Sequence, residues 1–165
     1  MPVWTPGLWA PGDNFTSEQA NTLLSGPHCL LSAGSNQAIP HDTATPASFD
    51  AVIEANDRYD AVSTPATEIP VPIDGVYLIV AQATFAANAT GVREMSVTAD
   101  GGDVGDLSQL PSADRAWVGQ VSAVKRLPAA AVVTLSLYQN SGANLDTSSA
   151  TLGGCRLAVT WLGLR

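Results

Sequence analysis

The chain has 165 residues, of which 13% are charged and 45% hydrophobic, with a formal charge of −8 and a pI near 4.3. That length suits a single domain, which buries roughly 70% of the surface its unfolded chain exposes. A single lysine, Lys125, and six scattered arginines exclude a basic nucleic-acid footprint, and an acidic surface repels DNA and anionic lipid alike.

No apolar run is long enough to span a bilayer. Met1-Pro2-Val3-Trp4 lacks the basic flank and apolar stretch of a signal peptide, so a mature, cytosolically made protein is expected. The charged fraction is about half the usual value. Much of the surface is therefore small or neutral, as suits a protein packed against others.

Residues 1–27 read as an arm and residues 28–165 as the domain. Trp4-Thr5-Pro6-Gly7-Leu8-Trp9-Ala10-Pro11-Gly12 holds too much Pro and Gly for regular structure. Thr16-Ser17-Glu18-Gln19 matches a capping box, so a short helix is expected from about Ser17 to Leu24, stopped by Ser25-Gly26-Pro27. Trp4, Trp9 and Phe15 are large aromatics on an irregular segment. They either fold back on their own domain or anchor the arm to a neighbouring subunit or another protein.

From Cys29 onward short apolar stretches alternate with Pro, Gly, Asn, Asp and Ser, the spacing of an all-β sandwich or barrel. Strands are expected at Cys29–Ser32, Ala47–Phe49, Val76–Phe85, Val92–Thr98, Trp117–Leu127, Val132–Gln139 and Gly154–Gly163, with a short one near Ser149–Leu152. The organising stretch runs from Ile69 to Gly101. Asp74-Gly75 signals a turn, and the run after it is apolar at both parities from Val76 to Val80. Such a strand is covered on both faces. One face is expected to meet the domain core and the other a second copy of the protein.

Cys29 and Cys155 are too few for a disulfide framework. They read either as two buried thiols or, if the first and last core strands pair, as a staple between them. Asp100-Gly101-Gly102-Asp103-Val104-Gly105-Asp106 offers three carboxylates that could suit calcium, but Asp and Gly are also ordinary turn residues. No metal and no cofactor is assigned. His41-Asp42 lies in a Pro-flanked loop, and no Gly-x-Ser-x-Gly elbow, phosphate-cradling loop or dinucleotide fingerprint occurs, so no enzyme is expected. Asn14-Phe15-Thr16 and Asn88-Ala89-Thr90 fit the glycosylation sequon, and both are read as chance.

Ser48-Phe49-Asp50-Ala51-Val52, Asn56, Tyr59-Asp60, Ile69, Pro72 and Gly75-Val76-Tyr77 resemble the pattern of the tumour necrosis factor / complement globular-head superfamily. The resemblance spans about Cys29 to Leu162. It departs at Pro128-Ala129-Ala130, where a Gly-Asp is usual, and at Ile69, where Phe is usual. It implies a ten-stranded jelly roll assembled as a homotrimer. In that family aromatic and apolar residues from the first long strand, the sixth and the last line the trimer axis. By position these are Tyr77, Tyr138 and Trp161, each of which could instead belong to the core.

Trp4-Thr5-Pro6, Trp9, Gly12, Phe15-Thr16, Gln19-Ala20-Asn21 and the segment Ala86 to Gly91 are similar to small structural proteins of tailed bacteriophages. That resemblance implies a virion component assembled in the bacterial cytoplasm. The first expectation is a trimeric capsid decoration protein fastened to the major capsid protein through its arm. The alternatives are a minor tail or fibre protein, and a module gripping a host receptor or glycan through the loops Asn56–Thr67 and Asp100–Ala113. Those loops lack the exposed aromatics of a sugar platform.

Overall fold

A single periodicity shapes this chain: apolar side chains recur every second residue, so each long strand turns one row inward and one outward. The computed structural model describes residues 26–56, 59, 62–111, 115–149 and 154–163. The expected helix over Ser17–Leu24 and the aromatics Trp4, Trp9 and Phe15 lie outside the described residues.

The strands are β1 (His28–Ser32), β2 (Ala38–Ile39), β3 (Thr45–Pro46), β4 (Ala51–Ala55), β5 (Glu68–Pro70), β6 (Gly75–Phe85), β7 (Arg93–Ala99), β8 (Gly102–Gln109), β9 (Trp117–Leu127), β10 (Val132–Gln139), β11 (Leu145–Asp146) and β12 (Arg156–Gly163). A first sheet runs β4-β1-β12-β6-β9, and a second runs β3-β10-β7-β8 with β5 also paired to β10. A small sheet joins β11 to β2. Every pairing is antiparallel. The first and last strands lie side by side in the middle of a sheet, the wrapped order of a jelly roll.

The core lies between the two sheets. Leu31, Tyr77, Ile79, Leu157 and Val159 enter it from the first sheet, and Met95, Val97, Val133, Leu135 and Leu137 from the second. Phe85 and Trp117 meet across one end with ring centroids 5.6 Å apart, a tilted aromatic pair. The other end is closed by the 128–131 turn, where Asp74 Oδ1 accepts the Ala129 N–H at 2.6 Å. Ala130 stands there with φ +66°, in left-handed backbone that a side chain disfavours.

Several expected elements shift. Ala47–Phe49 is not a strand: β3 ends at Pro46, and Phe49 makes one isolated bridge to Ala66. Ser149 lies in a bend, while the rest of the expected strand near Ser149–Leu152 lies outside the described residues; among the described residues a short strand stands earlier, β11 at Leu145–Asp146. The segment expected to be an acidic loop is mostly β8. Asp100 and Gly101 alone make the turn, at φ +53° and +70°, and Asp103 and Asp106 sit on the strand that follows. Among the described residues no group of three His, Cys, Asp or Glu is placed to hold a metal ion.

Candidate functional site

The first sheet has an outer face that its own sequence leaves apolar. On β6 the residues Tyr77, Ile79 and Ala81 are buried, while Val76, Leu78 and Val80 between them are half-buried and face out. Register fixes their neighbours. Val80 stands beside Ala158 of β12, which stands beside Leu30 of β1. Leu78 lies between Thr160 of β12 and Val124 of β9. Val124 is 62% exposed and Leu162, at the end of β12, 54% exposed. Ser122, Gln120, Gln82, Arg156 and Arg126 flank this group along the same face. An apolar centre with a polar rim is the anatomy of a docking surface.

The three aromatics expected at a trimer axis do not form one surface. Tyr77 is wholly buried within the protomer and donates its hydroxyl to Ile73 O at 2.7 Å. It therefore belongs to the core and cannot touch a neighbour; the outward residues of its strand are the aliphatics beside it. Trp161 pairs with Tyr77 across the β6–β12 ladder and packs on the core, with its Nε1 buried and without a hydrogen-bond partner. Its indole is wedged between Gly26 and Gly75: a Cβ at Gly26 would come within 2.6 Å of the ring, and one at Gly75 would overlap Nε1. Tyr138 lies on the other sheet, half-buried, with its hydroxyl donated to Asp42 Oδ1.

The end of the sandwich where β6 meets β7 is held by two buried polar side chains that composition gives no means of finding. Arg93 is fully buried. Its guanidinium donates to the carbonyls of Thr90, Val92 and Asn88 at 2.9, 3.0 and 3.2 Å and lies 6.0 Å from the Phe85 ring centroid. Its Nε has no partner, and desolvation lowers its pKa. Gln139 uses both ends of its amide. Nε2 donates to Ile39 O and Ala143 O at 2.9 and 2.8 Å, and Oε1 accepts from the Ser141 N–H and hydroxyl at 2.7 and 2.6 Å. Together they pin the 86–92 and 140–143 segments.

His41 and Asp42 do not pair as base and orienter. His41 Nδ1 accepts the Gly142 N–H at 3.1 Å, while Asp42 takes the Tyr138 hydroxyl. The two cysteines are both buried and free. Cys29 stands opposite Val159, whereas Cys155 lies opposite Ala33, whose N–H donates to its carbonyl at 2.9 Å. The first and last strands do pair, but four register steps, at about 3.3 Å each, separate the thiols beyond disulfide reach. Burial pushes the Cys29 thiol up to about 11 and moves Cys155 in the same direction, so both are held as neutral thiols.

No family model and no curated protein matches the chain. Solved structures do. Murine APRIL, in a crystal structure at pH 5.0, is 15% identical with a TM-score of 0.65, over 84% of this chain and 100% of that one. The globular domain of a zebrafish complement 1qA protein is 12% identical with a TM-score of 0.61, over 84% and 99%. Eiger TNF from S. frugiperda is 11% identical with a TM-score of 0.56, over 86% and 94%. The fold is thus a TNF-like, complement-head-like jelly roll. Fold alone does not carry function.

Proposed function

We propose that this protein is a non-enzymatic structural component that works as a homotrimer, each copy burying the outer face of its first sheet against a neighbour. The observation that carries this reading is the row of outward aliphatics, Leu30, Val76, Leu78, Val80, Val124 and Leu162. Covering such side chains contributes on the order of 1 kcal/mol each when they start half-exposed. A stable interface needs about 800 Å² per partner, and a five-stranded face offers that scale of surface. The support for threefold symmetry is the resemblance to the TNF / complement-head superfamily, whose members assemble as trimers.

Within that reading the trimer is a capsid decoration protein on a tailed-phage shell, fastened to the major capsid protein by residues 1–27 through Trp4, Trp9 and Phe15. The support is the resemblance of that leader and of Ala86–Gly91 to phage structural proteins. The work is mechanical: apolar area and aromatic anchors reinforce contacts between shell subunits.

Sedimentation of the full chain tests the first part. A trimer is expected, and Leu78→Glu with Val124→Glu should give a folded monomer. A wild-type chain that stays monomeric at high concentration ends the self-association reading. Imaging the particle tests the second part, since density for this chain on the shell is expected and density confined to the tail would move the role there.

A further inference from the structure

The second sheet turns a different face to solvent. On β10 the outward residues are Thr134, Ser136 and Tyr138, and on β7 they are Glu94, Ser96 and Thr98. The ladder sets Tyr138 beside Glu94 and Ser136 beside Ser96, and β8 adds Asp106 beside Ser96. Where these rows meet there is a groove of about 200 Å³ lined by Ala44, Glu94, Ser96, Asp106, Ser136 and Tyr138.

The lining narrows what could fill it. Its volume is below the roughly 300–1,000 Å³ of a site for a drug-sized ligand, which leaves room for one small ring. An ionised carboxylate accepts hydrogen bonds and donates none; Glu94 Oε1 already accepts the Ser108 hydroxyl at 2.9 Å, so Asp106 and the remaining acceptor sites of Glu94 call for a ligand that brings its own donors. No Lys, Arg or His lines the groove, and the acids are too few to hold a metal ion. Ser96 and Ser136 can donate or accept. Tyr138 supplies a half-exposed aromatic ring, and its hydroxyl is already committed to Asp42, which fixes the ring before anything binds. The Asp42 hydrogen bond, then desolvation, then the charges of Asp42 and Glu94 push the Tyr138 phenol pKa upward.

We propose that this groove binds a single neutral or amino pyranose unit of a glycan, laid against the Tyr138 ring with its hydroxyls turned to Glu94, Asp106, Ser96 and Ser136. Sugar acids are disfavoured, because a second carboxylate would meet the two already there. The site lies on the sheet that self-association does not use, so the two readings fail separately. A trimer would present three such grooves, and linked sites gain avidity without new contacts.

The test is a glycan array carrying neutral, amino, sialylated and uronate sugars, probed with the full chain, followed by ligand-observed NMR on the hits. Neutral or amino hexosides are expected to bind. Tyr138→Ala and Ser96→Arg, the second filling the groove from a half-buried, outward strand position, should each weaken binding about tenfold or more. Tyr138→Phe, which keeps the ring, should retain most of it. The monomeric Leu78→Glu/Val124→Glu variant should keep single-site binding while losing avidity. Binding of sialylated or uronate sugars alone, binding of none of these classes, unchanged binding by Ser96→Arg, or binding of a tri-arginine peptide in place of sugars would each overturn the proposal.

Discussion

Arg93 is the residue on which the β6–β7 end depends. Its charge is balanced by carbonyl dipoles alone among the hydrogen bonds it makes. Arg93→Ala should cost about 3 kcal/mol in denaturant unfolding, because it leaves a cavity and three unsatisfied carbonyls. Arg93→Met should recover part of that, since apolar replacements of buried charges are often tolerated. Gly75→Ala forces a methyl into the Trp161 indole and should cost about 1–3 kcal/mol, with Trp161 fluorescence shifting as the ring moves. Ala130→Gly works the other way. It relieves left-handed strain at φ +66° and should raise stability by about 0.5 kcal/mol, the penalty less the entropy of glycine. Cys29 gives the pH dependence its sign. A folded-state pKa of about 11 lies above the unfolded value near 8.5. Its contribution is therefore complete below about pH 8.5 and is lost as pH rises towards 11. Thermal midpoints should fall over that window less steeply in Cys29→Ala than in the wild type.

At the scale of the element, β6 shows how one strand serves two environments. Its inward row packs the core and its outward row, Val76, Leu78 and Val80, stays half-covered by its own protomer. Substituting the outward row should therefore alter association while leaving unfolding nearly unchanged. Leu78→Glu is expected to shift the sedimentation profile, with the far-UV spectrum and thermal midpoint of the monomer kept. Loss of both together would place Leu78 in the core rather than at an interface. On β10 the opposite holds. Gln139→Leu should destabilise by about 2 kcal/mol, because the Ile39 and Ala143 carbonyls and the Ser141 donors lose their partner together.

For the whole molecule the two sheets carry unlike outer faces: an apolar one on β1-β12-β6-β9 and a polar one on β10-β7-β8. Gly26 and Gly163 both lie against Trp161 or its ladder neighbours at one end of the first sheet, where the backbone N–H of Trp161 donates to Pro27 O at 2.8 Å and Gly163 pairs with Val76. Residue 26 therefore enters the domain at the end of β1, beside the central strand β12 of the apolar face. On the proposed shell role, deleting Met1 to Leu24 is expected to leave a trimer that no longer binds particles. Full decoration by the truncated protein would show that the arm is not the anchor.

The amino-acid order alone determined the all-β class and the spans of β6, β7, β9, β10 and β12, because alternation and β-branched content are local and survive without knowledge of partners. It also determined that Val76 to Val80 is apolar on both sides. Only the tertiary structure decided which side is which. One register step exchanges core and surface, and so Tyr77 went inside while Leu78 faced out. β4 and β8 were hidden from sequence for the same reason. Ala51–Ala55 and Gly102–Gln109 are strands through pairing with β1 and β7; the first is a short run with two β-branched residues, and the second is rich in Gly and Asp, which favour turns. Arg93 is one of six scattered arginines in the sequence; its carbonyl partners lie only one, three and five residues before it, but its burial needs the two sheets to close over that turn. Ladder partners and the two unlike outer faces are long-range pairings, and a chain specifies those only once it has folded.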